Sequence, residues 1–364
     1  MMHRQQFFHW YYQEKSQPVE KYITPMLKLE LTDSYHEIVI AREASLNTFN
    51  LEILEGLKKI LTQTKESPQL LMLSGEKKVL SAGDDYVGIF YSPRSISDYL
   101  AYKFQSWHLL KCRQNSLCFM QGSVMGSGLG LALSCNLRVA TPSTVVHLPE
   151  NSLGLIPDPS ALHFLSTHSN QPLGLYLALS GATLKGADLY LYGFATHFMS
   201  DEMVNRAVTS IKGGHSLSVV LDKLCTVPSV SQSSLEPAMS EIKEVFGNYT
   251  SLQDIYQRLA SRSTDFSKQT LMLLKPLCPL SLRMTTKAFF NFSKLTFEEA
   301  LCKGYDLLCQ LIIHRSYNFS IAVNHKLLYK SKSPMPWSPD DISTITPQIL
   351  APFFNNSEGP HLEV

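Results

Sequence analysis

The sequence predicts an α/β fold with a layered sheet, followed by a helical C-terminal part. Strand, helix and strand patterns succeed one another over about 150 residues from Met26. Beyond Asn205 the strand patterns fade and helical patterns dominate. The chain has 364 residues, of which 44% are hydrophobic and 17% charged, so it can bury a sizeable core. We therefore predict an extension or targeting segment over 1–25, an α/β core over 26–205, a helical part over 206–330 and a tail over 331–364.

The first predicted elements are a hairpin, a helix and a buried strand. Residues 27–40, LKLELTDSYHEIVI, alternate between apolar and polar side chains around a turn at Thr32–Ser34, which predicts two paired strands. Asn50 fits the N-terminal cap of an amphipathic helix. The apolar face of this helix is formed by Leu51, Leu54, Leu57, Ile60 and Leu61. Residues 70–75, LLMLSG, predict a short buried strand.

Later elements follow from the same patterns. A helical pattern over 98–111 is followed by the predicted strand SLCFMQG. A glycine-rich turn then opens the predicted helix LGLALSC, and LRVAT predicts another strand. Ser and Pro residues predict a loop over 226–240. The segments 240–262, 266–275 and 296–328 are predicted to be helical, with Pro276 and Pro279 between them.

Charge and cysteine content argue against several classes of protein. Lys and Arg number 32 and Asp and Glu number 31, and the resulting net charge of +1 lacks the basic field of a non-specific nucleic-acid binder. No stretch approaches the roughly 20 continuous apolar residues of a membrane span. The seven cysteines contain no CxxC pair, which favours free thiols in a reducing compartment over a disulfide framework.

Two stretches of small residues can bring backbone N–H groups close to a ligand. LSAGDD, residues 80–85, places Gly83 and Asp84 in a loop with little side-chain bulk. QGSVMGSGLG, residues 121–130, leads from a strand into a helix whose free N–H groups and positive dipole end suit a developing anion. An ordinary surface turn is the alternative for the first stretch, and close packing of a helix on a strand is the alternative for the second.

Two carboxylates lie in an otherwise apolar segment. Glu150 and Asp158 belong to VVHLPENSLGLIPDPSALHFL, residues 145–165. Charges in such surroundings must be solvated, paired or kept for a chemical purpose. Two carboxylates beside two aimed backbone N–H groups would form an acyl-transfer site, in which the N–H groups stabilise an oxyanion and the acids move protons or attack carbon.

The order of four motifs adds a resemblance to a known family. The motifs are SAGDD at 81–85, MGSGLGLALSCNLRVAT at 125–141, LPENSLGLIPD at 148–158 and LALSGATLKGADLYLYGFATHF at 177–198. Together they resemble the crotonase (enoyl-CoA hydratase/isomerase) superfamily, and most closely its 3-hydroxyisobutyryl-CoA hydrolase branch. The resemblance runs from Leu27 to Phe354. It implies a crotonase fold of stacked ββα turns, a helical C-terminal part closing over an acyl site, and a location in the mitochondrial matrix.

The resemblance also implies roles for the motif residues. The backbone N–H groups of Asp84 and Ser127 would form an oxyanion hole for a thioester carbonyl. Glu150 would be the catalytic carboxylate, as nucleophile or general base, and Asp158 the second acid. Further substrate contacts would come from Gly83, Gly126 and Gly128. The substrate would be an acyl-CoA thioester, so coenzyme A would be part of the substrate. No separately bound cofactor and no metal are expected.

Several departures from the family pattern lie at this same site. The hydrolase's GGD is Gly83-Asp84-Asp85 here, its GGG is GSG at 126–128, and its PDVGG is PDPSA at 157–161. A carboxylate at Asp84 would oppose oxyanion charge or block the pocket. The second glutamate of the hydratases falls on Gly130, which disfavours hydration.

Two hypotheses of different classes follow. In the first, the chain hydrolyses a short branched 3-hydroxyacyl-CoA thioester. The second rests on a resemblance to hydrolase-like proteins of mitochondrial ribosomal small subunits. It implies a structural component of that subunit, in contact with mitoribosomal proteins and rRNA, whose pocket is degraded. The enzyme requires an open channel to the N–H groups of Asp84 and Ser127, whereas a pocket filled by Asp84 or Ser160 argues against it.

Overall fold

The strands form two sheets. The computed structural model describes residues 19–92, 95–249, 251–314, 317–355 and 362–364. In these ranges the larger sheet has the spatial order β1 (Val19–Thr24), β2 (Leu27–Leu31), β3 (Tyr35–Ile40), β4 (Leu70–Gly75), β5 (Ser116–Met120), β7 (Leu137–Ala140) and β10 (His197–Phe198). The smaller sheet consists of β6 (Ser123–Met125), β8 (Val145–His147) and β9 (Leu184–Lys185).

The larger sheet is antiparallel at one edge and parallel elsewhere. The predicted hairpin is confirmed, because β2 and β3 pair antiparallel with Leu27 opposite Ile40. From β3 to β10 all neighbours are parallel, so the chain must cross over between strands, as in an α/β fold. Strand β1 pairs with β2 and lies ahead of the predicted core boundary at residue 26, so the sheet begins earlier than predicted. Residues 1–18 of the predicted extension lie outside the described residues.

The helices of the core include predicted and unpredicted ones. They are α1 (Leu51–Gln63), α2 (Tyr86–Tyr91), α3 (Ile96–Cys112), α4 (Ser127–Leu133), α5 (Pro159–Thr167), α6 (Gln171–Ser180), α7 (Ala187–Leu191) and α8 (Asp201–Lys212). The side chain of Asn50 caps α1 by accepting from the N–H of Ile53 at 2.9 Å, as predicted. The sequence pattern does not predict helix α6. Most of its residues are buried, so the helix has no polar face and the sequence shows no helical period.

The C-terminal part is helical, as predicted, with different boundaries. Its helices are α9 (Leu217–Leu224), α10 (Met239–Phe246), α11 (Leu252–Ala260), α12 (Asp265–Leu274), α13 (Pro279–Phe292), α14 (Phe297–Cys309), α15 (Tyr317–Ala322) and α16 (Pro347–Phe354). The single helix predicted over 240–262 is wrong, because the chain turns at Gly247 and at Asn248, whose φ is +49°. Pro279 begins α13, since the first turn of a helix tolerates the missing N–H.

Both faces of the larger sheet are covered. In β5 every residue is buried, with Cys118 and Met120 in the main core and Leu117 and Phe119 in a second core. The second core is completed by side chains of α8 and α9, including Val204, Ile211, Val220 and Leu221. The period of two along the strand separates the two cores. Among the helices of the described ranges, none has the length and apolar character that a membrane span needs.

Candidate active site

Two chain segments meet beside the smaller sheet and bring the small-residue motifs together. The N–H of Ser81 donates to the carbonyl of Ser123, and the N–H of Met125 donates to the carbonyl of Ser81. Gly83 has φ +95°, and a Cβ there would lie 2.9 Å from the carbonyl oxygen of Met125 and 3.8 Å from the nitrogen of Ser127. The loop that carries Asp84 therefore packs directly on the turn that opens α4.

The turn before α4 also approaches the first carboxylate. Gly126 has φ +50°, and a Cβ there would lie 2.6 Å from Oε1 of Glu150. A Cβ at Gly128 would lie 2.7 Å from the carbonyl oxygen of Ser81. The contacts that require glycine at these two positions are contacts with the chain's own groups, so packing explains them without a substrate.

The second carboxylate begins a helix. Asp158 caps α5 and accepts hydrogen bonds from the N–H and the hydroxyl of Ser160, at 3.0 and 2.9 Å. The residues Glu150 and Asp158 are each 2% exposed. Asp84, Ser127, Glu150 and Asp158 line one common space, so the four predicted elements converge.

A lysine outside the predicted motifs projects into this space. Lys103 projects from α3 and is 1% exposed. Its Nζ donates to Oδ2 of Asp84 at 3.0 Å and to Oγ of Ser127 at 3.1 Å, and it lies 3.6 Å from Oδ2 of Asp158. The ammonium group thus bridges the proposed oxyanion loop and the proposed second acid.

Further hydrogen bonds fix the Asp84 carboxylate in the pocket. Tyr99, one turn before Lys103 on α3, donates its hydroxyl to Oδ1 of Asp84 at 2.5 Å. The hydroxyl of Ser127 lies 2.7 Å from Oδ2 of Asp84 and 3.1 Å from Oδ2 of Asp158, and its single proton serves one of them at a time. Asp84 is therefore anchored inward by three side chains.

Very little volume remains. The space lined by Asp84, Lys103, Ser127, Glu150 and Asp158 measures about 10 Å³, room for about one water molecule. Within the described residues, the side chains of Asp84 and Lys103 project into this space and occupy room beside Ser127 and Asp158. Ser160 contributes only through its hydrogen bonds to Asp158.

The electrostatics separate Glu150 from the other acids. Burial raises the pKa of Glu150 to about 8, nearby N–H groups of Glu150 and Asp158 oppose this in part, and the charges of Asp158 and Asp84 add to it. Those N–H groups act from outside normal hydrogen-bond geometry, because neither carboxylate oxygen of Glu150 has a partner at normal distance and angle among the described residues. Burial by itself would lower the pKa of Lys103, but Asp84 and Asp158 outweigh burial and raise it. At neutral pH the site therefore holds a charged ammonium and a largely protonated Glu150.

Gly130 shows why a hydratase glutamate has no place here. A Cβ at this position would lie 2.3 Å from Oδ1 of Asp158 and 2.8 Å from Oγ of Ser160. The space that a second glutamate would need is thus taken by the cap of α5. Within the described ranges, His, Cys, Asp and Glu side chains also form no group of three that could hold a metal ion.

A sequence signal for Lys103 does exist. The buried residues of α3 include Tyr99, Leu100, Phe104 and Trp107, and Lys103 falls among them at helical spacing. A lysine on an apolar face needs a buried acidic partner. The helical period could therefore have predicted a buried ion pair, although not which carboxylate completes it.

A larger cavity near this site has acidic residues in its described lining. It measures about 420 Å³, and its charged lining residues are Glu52, Glu55 and Asp85. Tyr99, which lines this cavity and binds Asp84, and Ile89, which lines both spaces, stand between it and the filled site. Carboxylates at the edge of the site disfavour the phosphates of a CoA ester.

The class of protein follows from the fold and from the comparisons. The enoyl-CoA hydratase/isomerase family model matches residues 35–354, so the chain belongs to this family. Solved structures agree with the crotonase fold, and two examples are a carnitinyl-CoA dehydratase from Mycobacterium thermoresistibile and an enoyl-CoA hydratase from Rhodobacter sphaeroides 2.4.1. Their TM-scores are 0.85 and 0.83, each is 20% identical, and the matches cover 93% of this chain and 99% and 100% of theirs.

Among curated relatives, the chain is similar to mitochondrial 3-hydroxyisobutyryl-CoA hydrolases. The Bos taurus protein is 28% identical over 336 residues, which cover 88% of this chain and 86% of the bovine one. The Homo sapiens protein is 27% identical over 335 residues with the same coverage. The predicted resemblance to the crotonase superfamily and to this hydrolase branch is confirmed.

Proposed function

We propose that this chain is a structural member of its family, a protein component of a mitochondrial assembly whose former acyl site now serves as folded core. The observation that carries the proposal is the Lys103 ammonium, held between Asp84 and Asp158 where a thioester would have to bind. A four-carbon acyl group needs far more space than about 10 Å³.

The energetics of opening the site support the same proposal. To admit an acyl group, Lys103 would have to leave both carboxylates, which are 8% and 2% exposed. Breaking a buried ion pair from one side costs about 3–5 kcal/mol, because a charge is left buried without a partner. Substrate binding would have to supply this free energy before any catalysis, which reduces both affinity and rate.

The assembly to which we assign the chain is the small subunit of the mitochondrial ribosome. The net charge of +1 suits a peripheral position among ribosomal proteins better than a position enclosed by rRNA. The mitochondrial names of the relatives support the compartment, which we propose to be the matrix.

A second candidate is hydrolysis of a 3-hydroxyisobutyryl-CoA type of thioester, and Glu150 favours it. This carboxyl group is buried, lacks hydrogen-bond partners and has a pKa near 8, as expected for a group kept for proton transfer. Glu150 would take a proton from water as the oxygen adds to the thioester carbon. The C–S bond would then break. The CoA thiolate would take the proton back from Glu150 and leave as the free thiol. Such activity would increase with pH up to about 8.

One pair of experiments separates the two candidates. The purified full chain is assayed for release of free CoA from 3-hydroxyisobutyryl-CoA, beside Glu150→Gln as the matched control, and mitochondrial extracts are fractionated by sedimentation. We expect no release above the control, and co-sedimentation with the ribosomal small subunit. CoA release that depends on Glu150 would overturn the proposal and establish the hydrolase. Free sedimentation without release would overturn the ribosomal assignment alone.

A further inference from the structure

A second cavity lies far from the acyl site along the chain, between five helices of the core and C-terminal part. It measures about 770 Å³ and is bounded by the start of α6 and by α10, α11, α13 and α16. Its charged lining residues are Lys243, Arg283 and Lys287, and no acidic residue of the described chain lines it. It shares no lining residue with the acyl site. A cavity of this size with three cations is suited to a small anionic ligand.

The acids nearest in sequence to Lys243 are engaged elsewhere. On α10, Glu241 accepts hydrogen bonds from the hydroxyls of Thr264 and Ser267, at 2.6 and 2.5 Å. Glu244 lies 3.3 Å from the guanidinium of Arg262. The positive charge of Lys243 is therefore not neutralised by the acids of its own helix.

The basic side chains are accompanied by two helix starts. Gln171 begins α6, Leu252 begins α11, and both residues line the cavity. The N-terminal end of a helix carries partial positive charge, which adds to the attraction for an anion. The Nη2 of Arg283 donates to the carbonyl of Ile342 at 3.2 Å, and Ile342 does not line the cavity. This bond orients the guanidinium group.

Aromatic rings form another part of the wall. Phe290 lines the cavity and is 54% exposed, and Tyr249, which is partly buried, also lines it. The Nζ of Lys294 lies 3.8 Å from the centroid of the Phe290 ring, and the Nζ of Lys287 lies 4.2 Å from that of Phe354. Of these residues, Lys294 and Phe354 lie outside the cavity lining, whereas Tyr249, Phe290 and Lys287 belong to it. Aromatic rings and cations together can stack on a base and bind its phosphate.

We propose that this cavity binds a nucleotide, with the phosphate among Lys243, Arg283 and Lys287 and the base against Tyr249 and Phe290. The proposal is independent of the proposed function, because it uses different residues. The same chemistry is offered by a free nucleotide and by one unit of single-stranded RNA, and the experiment distinguishes these two sources.

The test uses the full chain with AMP, adenosine and inorganic phosphate in titration calorimetry, and labelled single-stranded RNA in fluorescence anisotropy. We expect AMP to bind at least about tenfold more tightly than adenosine or phosphate, because AMP alone reaches both rings and cations. RNA that binds more tightly than AMP would identify RNA as the source, and RNA that binds less tightly would identify a free nucleotide. If neither AMP nor RNA binds saturably, the proposal is overturned.

Variants locate the binding. Lys243 and Phe290 are exposed, so Lys243→Ala and Phe290→Ala should fold, which thermal unfolding verifies. Each should weaken AMP binding at least about fivefold, and added salt should reduce the effect of Lys243→Ala. Lys268→Ala is the matched control, since Lys268 is exposed on α12 and does not line the cavity. Wild-type affinity in both cavity variants would overturn the proposal.

Discussion

The candidate acyl site and the cavity of the C-terminal helices differ in opposite ways. At the candidate site the predicted motifs are present and Asp84, Ser127, Glu150 and Asp158 line one space, yet only about 10 Å³ remain between them. The cavity around Lys243 and Arg283 carries no recognisable motif and offers about 770 Å³. The comparison teaches that convergence of motif residues and room for a ligand are separate properties.

The physical origin of this difference lies in what each region needs to fold. At the candidate acyl site, backbone hydrogen bonds and close glycine contacts, such as that between Gly83 and Met125, bring the two loops together. Those features survive changes of side chain. The volume, in contrast, depends on what projects inward, and here Asp84 and Lys103 do so as a buried ion pair.

The largest effect is expected from Lys103→Met at the filled site. Removing the ammonium leaves Asp84 and Asp158 buried without their cation, so the free energy of unfolding should fall by about 3–5 kcal/mol. Urea unfolding at neutral pH measures it. The control Lys303→Met, at an exposed position of α14, should change the free energy of unfolding by less than about 0.5 kcal/mol. Equal effects would show that Lys103 is not paired as described.

The next effect concerns Glu150 and pH. Its pKa is raised by burial from 4.5 to about 8, so between these values the unfolded chain loses the proton while the folded chain keeps it. Protonated Glu150 contributes its whole share of the free energy of unfolding below about pH 4.5, and this contribution is lost as the pH rises towards 8. Glu150→Gln lacks this titration. The free energy of unfolding of the wild type should therefore fall relative to Glu150→Gln by about 3 kcal/mol from pH 5 to pH 8.

Urea unfolding of wild type and Glu150→Gln across this pH range checks the prediction. Parallel pH profiles of the two proteins would mean that Glu150 has an ordinary pKa and that the site is open to water.

A smaller effect is the coupling between Asp84 and Lys103. In a double-mutant cycle with Asp84→Asn and Lys103→Met, the coupling free energy should be about 2 kcal/mol, because removing both charges relieves the penalty of removing one. Arg42 and Asp85 form a neighbouring pair at 2.7 Å whose side chains are each 22% exposed. The Arg42→Met and Asp85→Asn cycle should give at most about 1 kcal/mol. Similar couplings for the two pairs would contradict burial of Lys103.

The smallest effect lies at the edge of the acidic cavity. Asn50→Ala removes the side-chain cap of α1 and should lower the free energy of unfolding by about 1 kcal/mol. Ser95 is the matched control, because it stands at the cap of α3 without a side-chain capping bond. Ser95→Ala should lower the free energy of unfolding much less, and thermal unfolding of both variants measures the difference. The reverse order would show that helix capping does not stabilise this wall.

Local patterns predicted the hairpin and helix α1. Motif order grouped Asp84, Ser127, Glu150 and Asp158, which line one space in the structure, and the roles of their N–H groups and carboxylates stay predictions. The hairpin and helix α1 show in the short-range periodicity of apolar residues, and the site residues show in the order of the motifs along the chain. Helix α6 escaped because complete burial erases the helical period. The partners of Lys103 could not be predicted, since its ion pair joins residues far apart in sequence. The basic cavity unites five helices, so no single segment carries its signature.

The most direct measurement is a crystal structure of the protein soaked in 3-hydroxyisobutyryl-CoA. Our account predicts the Nζ of Lys103 between Asp84 and Asp158, with no acyl group beside the N–H groups of Asp84 and Ser127. Electron density for an acyl group accepting hydrogen bonds from those two N–H groups, with Lys103 displaced, would contradict it.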